Sequence, residues 1–340
     1  MVFQFLESFF LNNLNNCLFD QYIQKNNQNN IIAGIDEAGR GPVLGPLVYS
    51  LATTPVIYLD NLSSIGFKDS KKLTAETRTK LFNHMNKKLL NDVSWAVNII
   101  SPNFISNSML KRTKYNLNDL SHDAIISLLN SFVSKNFIYE LYVDTIGPPE
   151  KLQQKLRKIF PKTKIGKIVV SKKADDIYVI VSVASVCAKV VRDKIIQQWK
   201  FFEDNLQLSV TPLQYGSGYP SDPLTKNYMK NNPDVVFGYP TFVRFSWSTA
   251  MNILNSHLLC CKIMWEDTEE DDNNINEKKR SKVVHSNTRI SSNGANKKFK
   301  TKDHNQMEIK NYFMKVNSKC GNDESIIKEL FPSLEFFYYL

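Results

Sequence analysis

From Ile31 onward, short runs of β-branched residues alternate with stretches whose apolar residues recur every three or four positions. This alternation is typical of an α/β domain and disfavours a β-sandwich or a helical bundle. The β-branched runs predict five strands, at 31–36, 47–53, 93–100, 139–144 and 165–170. The helical periods predict helices at 120–133, 148–156, 177–199 and 242–259, the first of them capped by Asp119 or Ser121.

Composition divides the chain into four parts. Residues 1–30 are an Asn-rich N-terminal extension, and residues 31–259 form the predicted α/β domain with its C-terminal helices. Residues 266–305 are first acidic and then basic, with little apolar content, which predicts a disordered linker. Residues 306–340 contain two short apolar islands and are predicted to be a partner-binding tail.

The charge of the chain favours a polyanionic partner. Lys and Arg outnumber Asp and Glu by 43 to 33, which gives a net charge of +10. Residues 266–340 hold 13 of each kind, so the whole excess lies in residues 1–265. A basic globular part is typical of proteins that bind nucleic acid, and with 42% hydrophobic residues the chain as a whole is too apolar to be disordered.

Three further observations bear on the compartment. No uncharged apolar run reaches the roughly 18 residues that a membrane span needs. The N-terminus has no basic residue before Lys25 and contains Glu7, unlike a signal peptide. The five cysteines are scattered and form no Cys-x-x-Cys pair, which disfavours a disulfide framework or a zinc site. We therefore expect a nuclear or cytosolic protein without a membrane partner.

The first predicted strand ends in two adjacent acids, Asp36 and Glu37, followed by the turn Gly39-Arg40-Gly41. Charge and permissive backbone at one end of a sheet suit a metal ion and a phosphate. Adjacent residues on a regular strand point to opposite faces, so both acids serve one site only if the chain bends there, as the glycines favour. A bare Asp-Glu pair is more often a solvated turn.

The arrangement recurs, which favours a site. A second apolar run ends at Asp144, and the pair Asp175-Asp176 precedes the long predicted helix. Carboxylates from separate strand ends and a helix start can converge at one edge of a sheet, where three or four of them suit Mg²⁺ or Mn²⁺. None of the five histidines falls in a zinc-like pair.

Basic and aromatic residues lie near these acids in sequence. The basic clusters at 69–72, 111–114, 172–173 and 189–192 could neutralise phosphates, and the loop at 215–220 offers two tyrosines for stacking, Tyr215 and Tyr219. Each feature alone is more often a solvated surface patch. Together with the acids they predict an enzyme that holds a nucleic-acid backbone and cuts it with metal ions.

These residues fall into motifs that resemble type 2 ribonuclease H, the ribonuclease HII family. The motifs, in order, are GIDEAGRGP at 34–42, DSKKL at 69–73, YVDT at 142–145, KAD at 173–175, SVASVCAKVVRD at 182–193 and GSGYP at 216–220. Three more, KYNL at 114–117, LSHD at 120–123 and FVRFSW at 242–247, resemble the eukaryotic branch, whose members are the catalytic chains of a nuclear heterotrimer. The resemblance covers roughly residues 30–257.

The resemblance implies a ribonuclease H-like fold, with a five-stranded mixed sheet flanked by helices, a C-terminal helical part and a disordered tail. The metal-binding and catalytic acids of the family correspond to Asp36, Glu37, Asp144 and Asp175. Asp175 is chosen because it follows Lys-Ala as in the family, and Asp176 remains the alternative. The family's substrate contacts correspond to Gly39, Arg40, Gly41, Lys71 and Tyr219, of which Tyr219 senses the ribonucleotide at an RNA–DNA junction.

The activity implied is two-metal hydrolysis that cleaves the RNA strand of RNA–DNA hybrids and incises on the 5′ side of single ribonucleotides in duplex DNA. The cofactor would be Mg²⁺ or Mn²⁺, and the partners would be the hybrid or ribonucleotide-containing duplex and two non-catalytic subunits. A catalytically silent nucleic-acid-binding adaptor with the same fold is the alternative function. An exonuclease or integrase is disfavoured by the Gly-Arg-Gly turn and the Gly-Tyr-Pro loop.

The tail carries a short pattern typical of peptides that bind the sliding clamp PCNA. A glutamine, an aliphatic residue and two aromatic residues are spaced as such peptides require, at Gln306, Ile309, Tyr312 and Phe313. Docking of this segment on the other chains of the complex is an equal alternative. The cluster at 278–282 is either a nuclear localisation signal or a solvated charge run.

Overall fold

The computed structural model describes residues 17–21, 30–67, 73–89, 92–113, 115–199, 201, 215–234 and 237–256. Among these residues, no helix combines the length and the apolar character that crossing a membrane would require. Lys71 and the predicted linker and tail, with Gln306, Ile309, Tyr312 and Phe313, lie outside the described residues.

The centre of the fold is a mixed sheet with the strand order β1-β4-β3-β2-β5-β6. Strands β4, β3 and β2 pair antiparallel, whereas β5 and β6 run parallel to β2. The carboxyl ends of β2, β5 and β6 therefore meet at one edge of the sheet. The strands are β1 (Cys17–Gln21), β2 (Ile31–Ala38), β3 (Leu47–Pro55), β4 (Ser94–Ile100), β5 (Ile138–Asp144) and β6 (Ile165–Ser171).

All five predicted strands are present, and β1 is an addition that the sequence did not reveal. It lies within the Asn-rich extension, forms one edge of the sheet, and pairs antiparallel with β4, from Cys17↔Ile99 to Gln21↔Trp95. An edge strand is held by backbone pairing with a single neighbour, so this five-residue segment can join the sheet without a sustained apolar period. The extension thus contributes a sixth strand to the sheet.

Helices cover both faces of the sheet. They are α1 (Leu59–Ile65), α2 (Ala75–Lys88), α3 (Pro102–Leu110), α4 (Leu117–Val133), α5 (Pro149–Ile159), α6 (Ala174–Ile177), α7 (Val179–Gln197), α8 (Pro223–Asn231) and α9 (Ser248–Ser256). On one face α2 and α7 pack over a core that includes Phe82, Val97 and Val183. On the other face α4 and α5 cover a second core that includes Ile35 and Leu128.

The long buried helix α7 lies directly on strand β2 because Gly34 has no side chain. A Cβ at Gly34 would lie 2.5 Å from the carbonyl carbon and oxygen of Ile180, in the first turn of α7. Ser185, further along α7, lies beside Asp36, one pleat further along β2. The close approach of helix and strand therefore brings α7 to the end of β2 that carries the acids.

The structure corrects three details of the predicted helices. The helix predicted at 177–199 runs from Val179 to Gln197, because Ile177 instead ends the short helix α6 and Tyr178 is extended (φ −114°, ψ 116°) between α6 and α7. Helix α4 is capped by Asn116 rather than by Asp119 or Ser121, since the Asn116 side chain accepts hydrogen bonds from the amides of Asn118 and Asp119. The last helix begins at Ser248 rather than at residue 242, because the residues before it form a loop that serves the site described below.

Candidate metal and nucleic-acid site

Three carboxylates meet at the edge of the sheet where the parallel strands end. Asp36 and Glu37 lie near the end of β2, and Asp144 is the last residue of β5. One carboxylate oxygen from each of the three lies within 4.8 Å of the others. The parallel topology therefore brings together residues that are more than one hundred positions apart in sequence.

The two adjacent acids reach this site without the predicted bend. Strand β2 stays regular beyond them, since Ala38 is still paired with Val48 of β3. Its pairing with β5, however, ends at Ile35↔Val143, so the edge of β2 beyond that point is open. The two side chains reach the same space from opposite faces of the strand because this edge is free.

Burial makes the cluster electrostatically costly. Asp36 is 5% exposed, and burial together with the charge of Asp144 raises its pKa to about 7. Burial and the charges of Asp36 and Asp144 raise the pKa of Glu37 to about 8, while the Arg40 guanidinium acts in the opposite direction. A hydrogen bond of 2.7 Å from the Glu37 amide stabilises the ionised form of Asp36.

The chemistry of the donors fits a hard divalent cation. The cluster offers carboxylate oxygens and no thiolate or imidazole, and Mg²⁺ and Mn²⁺ prefer such ligands. A bound cation would neutralise the repulsion that raises the pKa values of Asp36 and Glu37. The site thus has the ligand type and the unbalanced negative charge that a metal centre requires.

Of the two candidate acids in α6, Asp175 is the one whose charge acts on the cluster, although the group of carboxylates within 4.8 Å of one another does not include it. Asp175 is 5% exposed, and its charge contributes to the raised pKa values of Asp36 and Glu37. Asp176 is exposed and makes no such contribution. Asp144 joins strand β5 to α6, because its Oδ1 accepts a hydrogen bond of 2.7 Å from the Ala174 amide.

The turn that follows β2 is tightly packed. Gly39 has φ +88°, a conformation that favours glycine, and a Cβ there would lie 2.6 Å from the Pro46 carbonyl oxygen and overlap the Arg192 side chain. Gly41 is exposed, and a Cβ at that position would lie 3.2 Å from Cε1 of the Tyr219 ring. The structure thus places Gly39, Arg40, Gly41 and Tyr219 together beside the carboxylates.

Two buried arginines hold the backbone of this turn. Arg244 is fully buried and donates hydrogen bonds to the carbonyls of Gly39, at 2.6 Å, Arg40, at 3.2 Å, and Gly45, at 2.9 Å. Arg192, 7% exposed, donates to the carbonyls of Leu44 and Pro46, both at 3.1 Å.

An indole completes the set of donors: Trp247 Nε1 donates to the Gly41 carbonyl at 3.0 Å. Together with Arg244, it engages the carbonyls of all three residues of the Gly-Arg-Gly turn.

Tyr219 belongs to a loop that is bound to the same turn. The Gly218 carbonyl accepts hydrogen bonds from the amides of Val43, at 2.8 Å, and Leu44, at 3.4 Å. Tyr219 itself is 47% exposed, so its ring is available to a ligand. The second predicted stacking residue is not, since Tyr215 is 2% exposed and its hydroxyl donates to the Ile196 carbonyl at 2.6 Å.

The basic clusters divide in a similar way. Lys111, Arg112, Lys172 and Lys173 are exposed, as phosphate contacts must be. The prediction for Arg192 was wrong, because it is buried and its nitrogens bind protein carbonyls.

Sequence analysis also missed several polar residues of the site. Arg244, Tyr49, Asn118 and Ser121 all contact the turn or line the small cavity beside Glu37 and Asp144, as does His122. The usable signal was an arginine flanked by apolar residues, in Val243-Arg244-Phe245 and in Val191-Arg192, since a charge inside an apolar run is often buried and paired. Nothing comparable marks Tyr49.

Comparison with known proteins identifies the family of the chain. A family model described as Ribonuclease HII matches residues 33–250. The chain belongs to the ribonuclease HII family. Proteins named as the A subunit of ribonuclease H2 are similar to it: that of Bos taurus is 45% identical over 242 residues, covering 71% of this chain and 78% of the bovine protein. That of Arabidopsis thaliana is 40% identical over 255 residues, covering 74% and 82%.

Solved structures agree in fold. The ribonuclease H2 of Pyrococcus horikoshii matches with a TM-score of 0.52 and 34% identity, covering 66% of this chain and 96% of that one. A chain of the PCNA:RNase HII complex from Archaeoglobus fulgidus matches with a TM-score of 0.52 and 30% identity, covering 65% and 96%.

These findings confirm the predicted family, fold class and enzyme class. The protein is a ribonuclease H, an endoribonuclease that acts on RNA–DNA hybrids, and ribonucleases H depend on divalent metal ions. The alternative of a catalytically silent adaptor is therefore set aside.

The raised pKa of Asp36 predicts that the metal-free fold becomes more stable when the charge of this side chain is removed. The folded chain binds the Asp36 proton more tightly than the unfolded chain, so ionisation destabilises the metal-free fold progressively between pH about 4 and pH about 7. Asp36→Asn should therefore raise the thermal midpoint in EDTA at pH 8 by at least about 2 °C. The gain should be smaller at pH 5, and Mg²⁺ should narrow the gap at pH 8 by binding the wild type.

Differential scanning fluorimetry at both pH values, with and without Mg²⁺, measures this. Asp176→Asn is the matched control, because Asp176 is exposed and outside the cluster. Equal shifts for the two variants would show that Asp36 is not under electrostatic strain.

Proposed function

We propose that this chain is the catalytic subunit of a nuclear ribonuclease H2 complex that, besides cleaving RNA–DNA hybrids, incises duplex DNA on the 5′ side of a single embedded ribonucleotide. The observation that supports this is the closeness of Gly41 to the Tyr219 ring beside the carboxylate cluster, where a Cβ at Gly41 would lie 3.2 Å from the ring. A turn and an aromatic ring that lie this close to one another can both reach one sugar. This geometry suits recognition of a single ribose better than recognition of an extended duplex shape alone.

The backbone turn would read the 2′-hydroxyl. Because Arg244 and Trp247 engage its carbonyls, the turn offers its amide side, at the exposed Gly41, to a ligand. A deoxyribose would leave these polar groups unpaired once the site closed on it, which disfavours its productive binding. The Tyr219 ring would stack against the sugar of the same nucleotide and sense the change from RNA to DNA at its 3′ side.

The carboxylates Asp36, Glu37, Asp144 and Asp175 would hold two ions, Mg²⁺ or Mn²⁺. When bound, such ions activate water and stabilise the leaving oxygen of a phosphodiester. The chain's own contribution is to place the four carboxylates on β2, β5 and α6, to orient the ribose through the turn, and to hold the Glu37 charge near Arg40. Incision 5′ of the ribonucleotide would leave 3′-hydroxyl and 5′-phosphate ends, as ribonucleotide excision repair and primer removal require.

We expect Asp36→Asn to lower the rate of cleavage of a duplex that contains one ribonucleotide by at least about a thousandfold, because one carboxylate of the metal cluster is lost. Binding of the same duplex should change little, since Asp36 is buried and the basic surface is intact. Single-turnover cleavage in Mg²⁺ and a fluorescence-anisotropy titration measure the two quantities. Wild-type rates in this variant would remove Asp36 from the site.

We expect Tyr219→Ala to slow incision at a single embedded ribonucleotide by about tenfold or more, because stacking on the sugar is lost. A continuous RNA–DNA hybrid should suffer less, since it offers many alternative cleavage positions. Tyr215→Phe is the matched control, because its ring is buried away from the turn. Equal losses on both substrates would contradict the role of Tyr219 at the junction.

Assembly and location complete the proposal. The similar proteins are named as one lettered subunit of ribonuclease H2, which supports two further non-catalytic subunits, and the archaeal RNase HII structure is a complex with PCNA. The segment with Gln306, Ile309, Tyr312 and Phe313 would bind the clamp, and the basic cluster at 278–282 would direct the chain to the nucleus.

A tagged full-length chain should be nuclear and should copurify with two partners and with the clamp. Changing Tyr312 and Phe313 to Ala should remove the clamp and leave the two partners bound, because the aromatic pair anchors such peptides in their groove. Loss of the partners with the clamp retained would show that the segment docks on the complex itself. Neutralising Lys278 and Lys279 tests the nuclear signal.

A further inference from the structure

The segment at 114–123, which contains the KYNL and LSHD motifs, has no part in the function described so far. The described part of it forms the start of helix α4, where the exposed side chain of Asn116 accepts hydrogen bonds from the amides of Asn118, at 2.8 Å, and Asp119, at 3.1 Å. This cap fixes the first turn of the helix at the edge of the carboxylate site. Asn118, Ser121 and His122 line the small cavity that also contains Glu37 and Asp144.

The first turns of α4 bind the side chain of Arg40. Arg40 Nη1 donates a hydrogen bond of 2.6 Å to Ser121 Oγ, and Nη2 donates to Asn118 Oδ1. Ser121 Oγ in turn donates to the Leu117 carbonyl at 2.7 Å, which directs its lone pairs toward Arg40. The buried hydroxyl of Tyr49, on β3, interacts with both Ser121 and Arg40.

We propose that Asn118 and Ser121 are positioning residues for ribonucleotide recognition, because they fix the Arg40 side chain and through it the peptide groups of the Gly-Arg-Gly turn. This inference rests on the proposed function, in which those peptide groups read the 2′-hydroxyl. Neither residue needs to touch the substrate. Both act through Arg40.

The geometry explains why the Gly-Arg-Gly turn needs the contacts from α4 in addition to those from Arg244. A turn with glycine on either side of one residue is conformationally soft, and Arg244 fixes only its carbonyls from within the protein. An arginine side chain samples many rotamers unless its terminal nitrogens are bound. Helix α4 supplies acceptors for both terminal nitrogens, so the turn is fixed from the core and from the side chain.

The same contacts argue against a direct phosphate role for the Arg40 side chain. Both terminal nitrogens already bind protein oxygens, so the guanidinium is held toward helix α4, and only its remaining N–H groups could meet a phosphate. A phosphate ligand would also be expected to weaken duplex binding uniformly when removed. A positioning residue instead lowers the rate of cleavage while duplex affinity stays the same.

The test compares Asn118→Ala with Asn118→Asp and Asn130→Ala in the full chain copurified with its partners. Asn118 is exposed, so Asn118→Ala should fold with an unchanged thermal midpoint. It should slow single-turnover incision at an embedded ribonucleotide by about tenfold to a hundredfold, since small misplacements at an active site have effects of this size. Affinity for an all-DNA duplex should stay within about twofold.

Asn118→Asp keeps an oxygen acceptor for Arg40 and should restore most of the rate. Asn130→Ala, an exposed asparagine on the same helix away from the turn, should have the wild-type rate. If Asn118→Ala is as fast as Asn130→Ala, or if Asn118→Asp is as slow as Asn118→Ala, the proposal is overturned.

A double-mutant cycle with Arg40→Ala shows whether Asn118 acts through Arg40. The effect of Asn118→Ala should vanish in the Arg40→Ala background, whereas an equal effect in both backgrounds would overturn the proposal. The proposed function fails separately, if the wild type cleaves an RNA–DNA hybrid but not the single-ribonucleotide duplex. In that case the same double-mutant cycle, measured on the hybrid, still tests whether Asn118 positions Arg40.

Discussion

The site depends on two guanidinium groups buried beneath one turn. Arg244 and Arg192 place their nitrogens against the carbonyls of residues 39–46, and burial lowers the pKa of each. Taking such charges out of water is unfavourable unless their donors are satisfied. Carbonyl oxygens satisfy them here, and the same bonds set the conformation of the turn. Because the arginines come from α7 and from the loop before α9, they also join three distant segments at this point.

The carboxylate cluster is a second place where function opposes stability. Four acids share one edge of the sheet, and burial together with their mutual repulsion raises the pKa values of Asp36 and Glu37. A fold selected for stability alone would avoid this arrangement. The cations that the site is built for would remove the repulsion, so metal binding and folding stability are linked here. Arg40 supplies a fixed positive charge near Glu37 in addition to any metal ion.

Much of the fold and of the acidic site could be predicted from the sequence, and what could not depends on long-range contacts. The five core strands are buried on a face or on both, so their β-branched runs are visible, whereas β1 pairs at an edge and leaves no such pattern. Asp36, Glu37 and Asp144 lie at the ends of apolar segments, Asp175 precedes the long apolar helix, and the order of the recognised motifs relates the four. Three other features depend on tertiary packing and leave no periodic pattern in the local sequence. They are the break at Tyr178, the burial of Arg192 and the contact of Asn118 with Arg40.

To distinguish ribose from deoxyribose through backbone groups, the turn must above all be rigid. Every residue has an amide, so a turn that reads a 2′-hydroxyl is selective only if it cannot shift to accommodate a deoxyribose. The glycines that let Tyr219 and the sugar approach closely also make the turn soft. Buried arginines on one side and the capped end of α4 on the other restrict it, through bonds that span more than 70 positions of sequence. The selectivity of the site therefore depends on the packing of α4, α7 and the loop before α9 as much as on the turn itself.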